Sequence, residues 1–294
     1  MGLEPLVNTK DVILAIFMSG TGSNATKILE RFIMDKDDNK TTFYPNLIFT
    51  DNPNSKAKEI GNSFKERGLK IPVICVDIKG FKSKFTDKLD KRKEYDENTA
   101  KIIRNYGINM VALAGYDWIV TNELLDAYPT ILNVHPGDLR VRDEKGKRKY
   151  VGLGWVPSAK AILNGESKGH SSVHLVTPEL DGGPLLAVSA PQYLDMDHLA
   201  NITKLCGDAN DIKEIQKYIK ENPEASDKQL RKMFPVYSTA KDLQERLKVN
   251  GDWIIFPETI ARVANQDYKK DGKGGIYYED KQLNENNIDK LVLF

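Results

Sequence analysis

The chain has 294 residues, 40% of them hydrophobic and 29% charged, with 43 basic against 42 acidic side chains. That length buries a substantial core, as one large α/β domain with additions or as two domains, and the balanced charge gives no whole-chain attraction to nucleic acid or a membrane surface. No run approaches the roughly 18 to 20 consecutive apolar residues of a spanning helix. The opening MGLEPLVNTKD has an acid, a proline and no hydrophobic signal core, so a cytoplasmic protein is expected. Cys75 and Cys206 lie far apart without Cys-x-x-Cys spacing and read as ordinary buried or half-buried thiols of a reducing compartment.

Residues 12–18, VILAIFM, form a continuous apolar run ended by Ser19-Gly20-Thr21-Gly22, and residues 24–33 follow with helical spacing. The pattern is strand, glycine turn, helix. A second short strand over 47–50 is closed by Asp51-Asn52-Pro53-Asn54, and a charged helix over 56–67 leads to a third strand over 72–77. A long polar helix over about 84–106 precedes a strand over 109–115. Wholly apolar strands alternating with helices imply a parallel sheet covered on both faces.

The next strand-like run, 130–133, leads into Asn133-Val134-His135-Pro136. Residues 140–150 carry six Lys or Arg around a central Gly and read as an exposed loop or hairpin. A helix is expected over 155–164, with Pro157 tolerated in its first turn, then strands over 172–177 and 185–193. Residues 199–247 are helical and polar, with breaks at Asn222-Pro223 and Pro235. The tail carries Asp252-Trp253-Ile254-Ile255-Phe256-Pro257, a helix through Val263 and a Gly-rich hairpin at 274–278. No internal repeat or low-complexity linker is present.

Three features carry chemistry. Ser19-Gly20-Thr21-Gly22-Ser23-Asn24 feeds a strand into a helix, where glycines let the backbone approach an oxyanion and the helix N-terminus offers free N–H groups. Its spacing is neither the dinucleotide Gly-x-Gly-x-x-Gly nor a P-loop, so a tight capped turn and a phosphate site both remain open. Asn133 and His135, one residue apart on an extended strand, point to the same face, pairing an oxyanion-binding amide with a proton-moving imidazole. Asp181, before Gly182-Gly183, reads either as a turn residue or as the acid that orients His135. Histidines 135, 170, 174 and 198 lack ligand spacing on a strand-like background, and no metal is expected.

At these residues the chain resembles the folate-dependent formyltransferases. Four blocks occur in that family's order: Ser19 to Asn24, Leu113-Ala114-Gly115-Tyr116, Asn133 to Pro136, and residues 172–184, SVHLVTPELDGGP. The resemblance covers roughly residues 10 to 200 and resumes weakly at 252–257 and the final hairpin. It implies an α/β, doubly wound, mostly parallel Rossmann-like sheet, with a catalytic domain over 1–200 and a C-terminal extension of helical insertion, helix and hairpin over 201–294. The implied reaction moves a formyl group from 10-formyltetrahydrofolate, a co-substrate, to the amine of phosphoribosylglycinamide in purine synthesis. Asn133, His135 and Asp181 are the implied catalytic trio. Gly22, Ser23, Asn24 and Asp252 are the implied contacts to the ribonucleotide. The implied folate pocket comprises Arg92, near the tail carboxylate, with Leu113, Tyr116, Ile119, Val120, Leu132, Val176, Thr177 and Glu179.

The chain departs from the family where Asp117-Trp118 replaces a segment that usually carries an Arg. It departs again where Gly137-Asp138-Leu139-Arg140 and the basic loop replace Ser-Leu-Leu-Pro, and in a helical insertion near 204–240. These changes surround the folate tail and the amine entrance. A formyltransferase for another amine such as a sugar nucleotide, a formyltetrahydrofolate hydrolase and a non-catalytic nucleotide-binding homologue are the rival readings.

Overall fold

The computed structural model describes residues 2–195 and 210–292, so His198 and Cys206 lie outside the described residues. A short strand β1 (Glu4–Pro5) precedes β2 (Val12–Met18), helix α1 (Ser23–Asp37), β3 (Phe43–Thr50), α2 (Ala57–Glu66) and β4 (Val73–Cys75). There follow α3 (Lys88–Arg104), β5 (Met110–Leu113), α4 (Asn122–Ala127), β6 (Ile131–His135) and α5 (Val156–Leu163). Strands β7 (Lys168–Gly169), β8 (Ser172–Leu175), β9 (Leu185–Val188) and β10 (Gln192–Tyr193) come next. Helices Asn210–Glu221, Asp227–Met233, Pro235–Leu247 and Trp253–Ala264 then lead to β11 (Tyr268–Lys270), β12 (Ile276–Tyr278) and β13 (Lys281–Gln282).

A seven-stranded sheet has the order β4-β3-β2-β5-β6-β8-β9. Pairings β2 with β3, β2 with β5, β3 with β4 and β5 with β6 are all parallel, as the unbroken apolar strands require. The doubly wound, mostly parallel sheet expected from the sequence is present. Strand β3 starts at Phe43, earlier than expected, because the sheet absorbs Pro45: the register shifts between Leu14 and Ala15, leaving Asn46 as the extra residue. Asn46 instead donates its amide to the Tyr106 carbonyl at 2.8 Å. Helix α3 starts later than expected, at Lys88, because Asp87 caps it by accepting from the N–H groups of Leu89 and Asp90.

Two corrections concern strands. The single strand expected over 185–193 is two strands, with Pro191, which has no N–H to donate, in the gap between β9 and β10. Strand β10 pairs antiparallel with β7 in a sheet of its own. The C-terminal hairpin belongs to a four-stranded antiparallel sheet, β1-β11-β12-β13, in which Glu4 faces Lys270. A two-residue strand ending in proline carries no periodic signal. A third correction concerns Cys75, which is exposed at the end of the three-residue edge strand β4.

The chain divides into two compact units. Unit 1 is Met1–Val134, Val173–Ala187 and Ile255–Leu293; unit 2 comprises His135–Ser172 and Val188–Ile254. The boundary expected at residue 200 lies outside the described residues. The core of unit 1 includes Phe17, Phe49, Tyr95, Ile103, Val111 and Leu124 between sheet and helices. In unit 2, helix α5 packs with Ile212, Val236, Ala240, Leu243 and Leu247, so the C-terminal helices bury apolar faces at helical spacing despite their polar composition.

Candidate active site

In unit 1 the strand order runs outward from β2 in one direction and from β5 in the other, so the crevice at their carboxyl ends is the switch point where open α/β sheets take ligands. One side of it is the loop after β2. Gly22 is the N-cap of α1 with φ 67°, and no side chain caps the first turn. A side chain at position 22 is excluded twice, since a Cβ would lie 2.4 Å from Ile60 Cδ1 and the backbone is left-handed. The uncapped N–H groups of Ser23 and Asn24 suit an anion, and the buried Oδ1 of Asn24 has no hydrogen-bond partner.

The other side of the crevice is the loop after β5. Ser19 N–H donates to the Gly115 carbonyl at 2.8 Å, and Ser19 Oγ donates to Asp51 and accepts from Asp117 N–H. Trp118 Nε1 donates to the second oxygen of Asp51 at 2.8 Å. Asp51 thus ties the two loops together from the end of β3. Burial and the nearby Asp51 charge push the Asp117 carboxyl above its ordinary value.

Asn133, in β6, meets His174, in β8, which in turn lies near Asp181 on the turn after β8. His174 Nδ1 lies 2.8 Å from the Leu175 carbonyl and so carries the proton, leaving Nε2 to accept from Asn133 Nδ2 at 3.2 Å. That pairing sets the Asn133 amide and leaves its second N–H for another acceptor. Asp181 Oδ1 is 3.7 Å from His174 Nε2, with both side chains buried. Asp181 stands at φ 51°, and the turn closes tightly enough that a Cβ at Gly183 would lie 1.8 Å from the Leu175 carbonyl oxygen.

His135, two residues beyond Asn133, is 3% exposed and held within unit 2, where its Nε2 lies 2.7 Å from the Tyr150 carbonyl. A carbonyl only accepts, so Nε2 carries the hydrogen in this contact. Nearby in unit 2, Asp138 takes a bidentate contact from Arg140. Burial acts to raise the Asp138 carboxyl, but Arg140 outweighs it and holds it below the usual range. His170 donates from Nδ1 to the Ser189 carbonyl, and its buried Nε2 has no hydrogen-bond partner, 4.0 Å from Asp138. Burial lowers the His170 pKa. Asp252, the last residue of a π-helical turn over Lys248–Asp252, is also buried in unit 2.

A family model described as formyl transferase matches residues 12–216. The chain belongs to the formyl transferase family. Over 175 residues it is 36% identical to the phosphoribosylglycinamide formyltransferase of Escherichia coli (strain K12), a match covering 59% of this chain and 69% of that one. Over 193 residues it is 31% identical to the chloroplastic phosphoribosylglycinamide formyltransferase of Arabidopsis thaliana, covering 65% of this chain and 59% of the plant protein. The chain therefore spans less than two thirds of that relative's length. Among solved structures, phosphoribosylglycinamide formyltransferase from Coxiella burnetii superposes with a TM-score of 0.62 at 18% identity, over 94% of this chain and 97% of that one. That likeness is one of fold.

Within this formyl transferase the expected folate residues divide. Leu113, Tyr116 and Val120 belong to the buried cluster of unit 1 and Leu132 is fully buried, so these four are core. Ile119 and Glu179 are exposed, and Val176 and Thr177 are half-buried. Arg92 is engaged internally: it pairs with Asp96 at 2.8 Å, donates to the Ile119 carbonyl at 3.0 Å and stacks near Tyr95, Tyr116 and Trp118. Sequence reasoning missed His174 as the partner of Asn133. Its signal was the alternation of Ser172 and His174 on one face of a strand that ends at the Asp181 turn. Among the described residues no group of three His, Cys, Asp or Glu is arranged to hold a metal, and no helix is long and apolar enough to cross a membrane.

Proposed function

We propose that this formyl transferase passes the formyl group of 10-formyltetrahydrofolate to the amine of phosphoribosylglycinamide, with Asn133, His135 and Asp181 as the catalytic set. The observation that carries this reading is the Asn133 amide, anchored by His174 at 3.2 Å with its second N–H unspent, one residue from a histidine in the same strand. The relatives' shared name supports the acceptor, and the uncapped start of α1 suits its phosphate.

The amine nitrogen attacks the formyl carbon, and the carbonyl oxygen becomes an oxyanion that the Asn133 N–H and protonated His135 stabilise. The attacking nitrogen then loses a proton, the folate N10 gains one, and the bond from N10 to the formyl carbon breaks. Asp181 favours the charged imidazole and helps relay the proton. Ser23, Asn24 and Asp252 hold the ribonucleotide, and the segment from Val176 to Asp181, with Ile119, receives the folate.

The test is an absorbance assay for the folate product, run with phosphoribosylglycinamide and beside His135→Ala. Turnover that needs this amine, and that falls by about 100- to 10,000-fold in the variant, is expected. Turnover only with another amine overturns the acceptor; equal turnover by the variant overturns the mechanism. Formate release without any amine would indicate a hydrolase.

A further inference from the structure

The basic segment 140–150 is an exposed hairpin over most of its length, and its two ends meet beside His135. Arg142 and Arg148 form an antiparallel bridge, and Lys149 N–H donates to the Val141 carbonyl at 3.0 Å. Asp143 closes the tip, accepting from the N–H groups of Lys145 and Lys147 at 2.9 Å each. The chain thus leaves His135 through Pro136 and Gly137 and returns at Tyr150, whose carbonyl meets the His135 ring.

Both sides of that contact are fixed. The Tyr150 side chain is 2% exposed, and its phenol donates to Glu166 and accepts from Asn164 Nδ2 at 2.8 Å. The next carbonyl, that of Val151, accepts from Lys160 Nζ at 2.7 Å. On the other side, the Gly137 carbonyl accepts from Ser172 Oγ at 2.8 Å and Gly137 N–H donates to the His135 carbonyl at 2.9 Å. A Cβ at position 137 would lie 2.7 Å from the Tyr150 carbonyl oxygen and 2.8 Å from His135 Nε2. Any side chain there would wedge into the hydrogen bond itself.

We propose that Gly137 and Tyr150 are positioning residues for His135, and that the hairpin is the strap delivering the Tyr150 carbonyl to Nε2, so that the imidazole works in one tautomer and one orientation. Charge on the hairpin is incidental to this role; its length and anchored ends are what act. The assignment rests on His135 being the proton-transferring group of the reaction proposed above.

Nitrogen-15 spectra of histidine-labelled protein, assigned with His135→Gln, read the tautomer directly and without substrate. The native protein is expected to hold the proton on Nε2. Gly137→Ala should change the His135 ring signals, move the pH profile of kcat and lower kcat by about 100-fold with KM little altered, the scale expected of a misplaced catalytic group. A folded Gly137→Ala protein with native ring signals and a native pH profile overturns the proposal. Should that variant not fold, Tyr150→Phe decides it, because loss of the phenol anchor must also move the His135 signals. Absence of formyl transfer in the native protein would overturn the proposed reaction, whereas the spectra would still decide the positioning.

Discussion

His174 controls Asn133 through one nitrogen, so its removal should be felt in catalysis more than in stability. His174→Phe takes away the acceptor at 3.2 Å and lets the Asn133 amide rotate. We expect kcat to fall about 10-fold or more with KM nearly unchanged, and His174→Gln, which keeps an acceptor, to recover part of the loss; equal kcat in all three proteins would refute the role. His170 supplies a prediction on pH. Its folded pKa is lowered by burial, so below about pH 6.5 the unfolded chain binds the proton more readily. Stability is therefore full above that pH and declines as the pH falls toward the lowered folded value. The unfolding midpoint should drop between about pH 7 and pH 5, and a thermal melt series on His170→Gln should show a shallower drop. That Asn133 and His135 lie one residue apart at the end of a strand was legible in the sequence, because an apolar run leads into them. Tyr150 was not, since it acts on His135 through a main-chain carbonyl that any residue type supplies, and a lone strand histidine such as His174 reads as structural until its neighbour is known.

Between elements, α3 and α4 are joined by a carboxylate that does two tasks. Asp96 is fully buried in α3, pairs with Arg92 at 2.8 Å and accepts from both the N–H and hydroxyl of Thr121, the N-cap of α4. Burial pushes the Asp96 carboxyl up and Arg92 opposes it. Arg92→Leu strands that carboxylate without its cation and should cost about 3–5 kcal/mol in urea unfolding; a loss under about 1 kcal/mol would mean that Asp96 is neutral and the pair contributes little. The sequence did not reveal the pairing of Arg92 with Asp96, because position in a motif carries no information about which neighbours a guanidinium will meet. Strand β2 and helix α5 followed directly from apolar runs, turn residues and a first-turn proline. Strand β3 ran longer and α3 shorter than periodicity alone implied, because a bulge accommodated Pro45 and a side-chain cap at Asp87 set the helix start.

For the whole molecule, balanced charge excluded long-range electrostatic attraction and left recognition to local groups, and the strand-helix alternation foretold the parallel sheet. The partition into units was not legible, since it depends on which distant segments pack together and no linker composition marks it. Unit 1 takes its last segment, Ile255–Leu293, only after the chain has passed through all of unit 2, and that segment supplies Tyr268, fully buried with its phenol on the Leu186 carbonyl at 2.7 Å. Chains ending at residue 254 should therefore lack cooperative unfolding and near-ultraviolet dichroism, and adding residues 255–294 as a separate peptide should restore both; a cooperative melt from the truncated chain alone would show otherwise. During synthesis the strands of the sheet bearing Asn133 are all made by residue 188, whereas the helix and antiparallel strands that complete unit 1 follow only after residue 254. The discontinuity thus separates the making of the sheet from the making of the helix that buries Ile255, Phe256, Ile260 and Val263, an interval in which uncovered apolar surface is open to misassembly.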